Sequence, residues 1–178
     1  MNTIFFSIIP LITIWLLKEK PRNLGLSLEK WKTSLLYAAI LVLLATPFMI
    51  YGSRLPQFTA YYPLWEPARS SIQSLVLLEI GMLILMFNTE FFFRGFLLFS
   101  LNDYLKSINI KKAEWMAIII HAIPYAVVHI GKPGLEVPYS FFVGLVFGYI
   151  ALRTKSILTP LAAHWSSSVI FDLMVLWI

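Results

Sequence analysis

Residues Ser71–Leu101 read SIQSLVLLEIGMLILMFNTEFFFRGFLLFSL. A bilayer span needs about 20 apolar residues, with a range of about 17–25. This run exceeds that range, so it either tilts across a membrane or projects beyond it. Its only ionisable residues are Glu79, Glu90 and Arg94. Glu90 and Arg94 are four residues apart, which puts them on one face of a helix as an ion pair. An apolar helix carrying a charge pair is expensive in lipid unless that face turns into a protein interior. The stretch therefore predicts a membrane-spanning helix with a polar face directed at other helices.

The rest of the chain fits that reading. Of its 178 residues, 59% are hydrophobic and 13% charged, and the mean hydropathy is +0.78. A soluble domain is usually about 45–50% apolar and about 25% charged. Five further apolar segments are expected, at Thr3–Leu17, Ser34–Tyr51, Trp115–Ile130, Val137–Leu152 and Ile157–Ile178. The predicted fold is all-α: a polytopic transmembrane bundle of about six helices. Residues 1–178 form a single integral membrane domain, because no polar stretch is long enough to fold alone. Residues Met1–Leu17 lack the basic start and small-residue cleavage site of a signal peptide. They read as a retained first helix, barely long enough to span, and the chain is expected to begin inside a longer natural helix.

The net charge of +5 would point to nucleic acid in a soluble protein. Here Lys and Arg lie in short loops, where they set topology instead. Lys18, Lys20, Arg22, Lys30 and Lys32 follow the first segment, Lys106, Lys111 and Lys112 the third, and Arg153 and Lys155 the fifth. The positive-inside rule places these loops in the cytoplasm and both termini outside. The absence of Cys excludes disulfides and thiolate chemistry. Pro56, Pro63 and Pro67 predict an irregular second loop, Pro124 a kinked fourth helix, and Gly144 with Gly148 a close helix contact.

The other intramembrane polar residues are His121, His129, His164 and Asp172. His is the side chain suited to proton transfer near neutral pH, and a nearby carboxylate can orient or activate water. At 1.5 Å per residue, Glu90 lies about 16 Å, His129 about 21 Å and His164 about 10 Å from the cytoplasmic ends of their helices, which permits one shared site. His121 is about two turns before His129 and rotated by about 80°, so it is expected to face elsewhere. Glu79 falls almost on the face of Glu90, as a second carboxylate or the end of a polar track. Asp172 is expected near the outer helix end, within reach of water or headgroups.

In order and spacing, three motifs resemble the CPBP family of CAAX prenyl endopeptidases and bacteriocin-processing or immunity proteins (Abi, Rce1-like). Thr89-Glu90-Phe91-Phe92-Phe93-Arg94 looks like its Glu-Glu-x-x-x-Arg, and Tyr125 to His129 like its Phe-x-x-x-His. Gly144, Gly148, Thr154, Ser156, Pro160 and His164 look like its last motif, which closes with His-x-x-x-Asn. The similar core runs over about residues 72–175. The resemblance implies that the first Glu and first His activate water for peptide hydrolysis without metal or other cofactor, and that the last His and the Asn hold the oxyanion. His129 and His164 match these two His, while Glu90 and Arg94 match the second Glu and the Arg. The implied partners are a prenylated or membrane-associated peptide and the bilayer, in the bacterial cytoplasmic membrane by family habit.

Two positions depart from the pattern. Thr89 stands for the first Glu, and a hydroxyl is no base near neutral pH. Ser168 stands for the Asn, with a shorter reach. The catalytic candidates are Glu90, Arg94, His129 and His164, with Glu79, Thr89, Tyr125 and Ser168 in support. Three readings stay open: an intramembrane endopeptidase; a non-catalytic scaffold, immunity factor or membrane-peptide binder; and a small transporter or metal-binding protein.

Overall fold

A computed structural model describes residues 5–177. Thr3, Ile4 and Ile178, at the ends of the first and last expected segments, lie outside the described residues. Among the described residues the chain is all helix and turn, with seven α-helices. These are α1 (Phe5–Leu17), α2 (Trp31–Gly52), α3 (Pro56–Tyr61), α4 (Ile72–Ser107), α5 (Ala113–Val127), α6 (Glu136–Thr154) and α7 (Leu158–Trp177). Two 3₁₀ turns, Pro21–Leu24 and Glu66–Arg69, lie in the connections.

The ends follow local chemistry. The hydroxyl of Ser71 accepts a bond from the Ser74 amide at 3.4 Å and caps α4. At the end of α6, Lys155 takes a left-handed conformation (φ 54°) and turns the chain straight into α7. The second loop departs from the expected irregular path. Pro56 is pre-set for a first helical turn, and Pro56–Tyr61 forms the short α3. Helix α4 continues past Leu101 to Ser107, and α5 ends at Val127, short of the expected Ile130.

Helices α2, α4 and α6 are long and apolar enough to cross a membrane, and α1 and α5 are shorter apolar helices. Leu43, Leu44 and Phe48 on α2 and Val76, Leu77, Ile80 and Ile84 on α4 are exposed. Water would not tolerate such continuous apolar faces on a monomer, whereas lipid tails do. Inside the bundle, α5 lies along α6, and α7 packs on both α2 and α4. The α5–α6 contact depends on small residues. A Cβ on Gly144 would come within 3.1 Å of Ala122, and one on Gly148 within 2.4 Å of the His121 ring.

The loops sort into two ends. The Ile157 amide bonds Gly25 O at 3.0 Å and the Ser156 hydroxyl bonds Ser27 O at 2.7 Å, so the α1–α2 and α6–α7 connections meet. At the other end the Tyr62 hydroxyl reaches Glu136 at 2.8 Å, which joins the α2–α4 connection to the start of α6.

Candidate functional site

Inside α4 the backbone widens into a π-helix over Phe91–Leu98. Such wide turns are rare and concentrate at functional sites. This one starts directly after Glu90 and carries Arg94. Both side chains are fully buried. Arg94 Nη1 lies 3.2 Å from Glu90 Oε1 and 3.1 Å from Oε2. The guanidinium carbon sits 3.8 Å over the Tyr125 ring and 5.3 Å from that of Phe147. Desolvated cation–π contacts of this kind contribute about 2 kcal/mol. The pair is thus enclosed by aromatic walls from α5 and α6.

Helix α7 supplies the third member. His164 Nδ1 lies 2.8 Å from Glu90 Oε1. Against a carboxylate that nitrogen is the donor, which leaves Nε2 to face outward. The His164 side chain is 22% exposed, while Glu90 beneath it is sealed, so the imidazole is the part of this chain of contacts that outside molecules reach. Glu90 therefore accepts from Arg94 and His164 at once.

His129 comes from another element than the sequence implied. With α5 ending at Val127, it lies in the turn that follows. Its Nδ1 is 2.8 Å from Tyr125 O, where it donates, so the lone pair of the ring is on Nε2. The His129 ring centroid is 4.9 Å from that of Tyr125, and the His164 centroid is 6.4 Å from the same ring. Both imidazoles thus lie against one aromatic ring, which also covers Arg94.

His121 is fully buried against Gly148 of α6, with Nδ1 bonded to Ile118 O at 2.7 Å. The hydroxyl of Thr89 donates to Leu85 O at 2.9 Å, back along its own helix. Ser168 is half-buried, one turn beyond His164 on the same face of α7. Glu79 does not join Glu90. It meets Asp172 of α7, and Asp172 is buried rather than open to headgroups. The platform role of Tyr125 was not legible beforehand, since cation–π stacking leaves no spacing signal in a sequence. Among the described residues no group of three or more His, Asp or Glu side chains stands where it would hold a metal ion.

The sequence model of one family, type II CAAX prenyl endopeptidase Rce1-like, matches residues 71–170. No match is found among curated proteins or among solved structures. The matched stretch contains Thr89, Glu90, Arg94, Tyr125, His129, His164 and Ser168, and amounts to more than half of the chain. With its apolar helices, the match makes this an integral membrane protein. The chain belongs to the Rce1-like family of type II CAAX prenyl endopeptidases.

Proposed function

We propose that this protein hydrolyses a peptide bond close to the membrane in a prenylated or membrane-anchored substrate, with His129 as the base and His164 as the oxyanion donor. The observation that carries the reading is the 2.8 Å contact of His164 with the sealed Glu90–Arg94 pair, next to the Tyr125 ring that His129 also packs against. His129 Nε2 takes a proton from water as the oxygen attacks the scissile carbonyl carbon. The oxyanion accepts from His164 Nε2–H while Glu90 holds Nδ1–H, and the Ser168 hydroxyl is the second donor. When the C–N bond breaks, His129 returns its proton to the leaving amine, and the hydroxyl stays on the new carboxyl. Positioned proton transfer contributes about 10²–10⁴-fold, and one oxyanion donor about 10²–10³-fold. Glu90 orients His164 and is not the base, because both of its neighbours are donors.

On this reading the end with the basic loops faces the cytoplasm of a bacterial cell, the chain ends lie outside, and the site is reached from the cytoplasm. A second reading is favoured by Thr89. Its hydroxyl is spent on Leu85 O where the family places a carboxylate, which suits a scaffold, immunity factor or binder of membrane peptides that no longer cleaves.

The test is cleavage of a farnesylated peptide by the protein reconstituted in liposomes. Hydrolysis by the wild type, with kcat down about 10²–10³-fold in His129→Ala and in His164→Ala, is expected. Binding of the peptide without cleavage by the wild type, unaffected by either substitution, would establish the second reading.

A further inference from the structure

A second polar cluster stands apart from the histidines. Glu79 of α4 and Asp172 of α7 are 7% and 3% exposed and interact with each other where the two helices pack. Neither oxygen of Glu79 has a donor among the described residues. The two helices are also pinned here by the Trp165 indole, whose Nε1 donates to Glu79 O at 2.9 Å.

Among the described residues, Arg69 acts on Asp172 from the Glu66–Arg69 turn packed against α4. Its guanidinium is already bonded to Glu66 at 3.1 Å, to Thr59 O at 2.7 Å and to Tyr62 O. Tyr62 packs on Phe171 but points its hydroxyl at Glu136. Two ionised carboxylates side by side in a dry interior repel, and each alone is costly in a bilayer. Two acceptors bond to each other only when one carries a hydrogen.

We infer that Glu79 and Asp172 together bind one proton, which makes them a proton-dependent tie between α4 and α7. The site lies about 16 Å along α4 from Glu90 and about 12 Å along α7 from His164. It joins the same two helices that meet in the Glu90–His164 contact, yet it does not depend on any peptidase reading. With the proton present the carboxyls attract. When rising pH removes it, two negative charges face each other and the tie fails. Stability from this pair is thus present at low pH and lost as pH rises.

Infrared spectroscopy of the wild-type protein in lipid nanodiscs tests this without any assay of cleavage. The C=O stretch of a protonated carboxyl is expected at mildly acid pH, to vanish on alkalinisation, and to be absent in Glu79→Gln and Asp172→Asn. In parallel, the unfolding constant of the wild type rises by up to about tenfold per pH unit where the proton leaves. Glu79→Gln, whose amide donates to Asp172 at any pH, loses that slope. Absence of the band in the wild type, or its persistence with unchanged slope in both variants, would overturn the inference. So would stabilisation of the alkaline wild type by sodium over choline that Glu79→Gln abolishes, since the bound cation would then be a metal ion.

Discussion

Replacing Arg94 by Met keeps most of the volume of the side chain and removes its charge. Glu90, sealed at 0% exposure, is then left with His164 as its only partner. Removing one member of a buried ion pair costs about 3–5 kcal/mol, because the remaining charge stays desolvated. The lost stacking on Tyr125 and Phe147 is part of that figure. For a chain of this size each kcal/mol moves Tm by about 2–4 °C, so the expected drop is roughly 6–20 °C. The internal control is Arg153→Met. Arg153 pairs with Glu114 at 3.0 Å, but its side chain is 55% exposed, and such pairs contribute about 0–1 kcal/mol. Thermal unfolding in detergent micelles, followed by tryptophan fluorescence, compares the two. Glu90→Gln combined with Arg94→Met should recover part of the loss, since the orphaned charge is gone. Equal shifts for Arg94→Met and Arg153→Met would refute the sealed pair.

Gly148→Ala forces a Cβ to within 2.4 Å of a ring fixed by Ile118 O, and overpacking of this kind costs about 1–3 kcal/mol, whereas Gly81→Ala meets nothing within 4 Å and should be neutral or stabilising in the same melts. Thr89→Glu restores the family carboxylate and should raise the rate of peptide cleavage; a fall to background would show that residue 89 does not face the reacting water. Burial first, and then Glu136, push the Tyr62 hydroxyl above its ordinary value. A group raised in the folded state stabilises below its unfolded value of about 10 and loses that contribution as pH climbs past it, so alkaline unfolding should be less steep in Tyr62→Phe than in the wild type.

The helical character was plain in the sequence, because long apolar runs and loop charges are properties of the chain itself. The positions of Glu90 and Arg94 were equally legible, since four residues in a helix fix a face whatever packs against it. The end of α5 was not. Val127, Val128 and Ile130 are as apolar as the helix before them, and only the structure shows His129 in the turn beyond. That single shift takes His129 off the helix face on which the sequence set it. The meeting of Glu79 with Asp172 was hidden for a related reason: spacing reports neighbours along one helix, while this contact depends on how α7 packs across α4. The sequence motifs placed Glu90 and His164 in one set, yet gave no sign that one carboxylate oxygen serves both Arg94 and His164.

The claim on which the rest depends is that Glu90 acts through His164 and not as a base of its own. Single-turnover cleavage of a farnesylated peptide by the wild type, Glu90→Gln, His164→Asn and the double variant measures it. Each single substitution should slow cleavage by about 10²–10³-fold, with the double variant no slower than His164→Asn alone. Full activity in Glu90→Gln, or losses that multiply in the double variant, would contradict it.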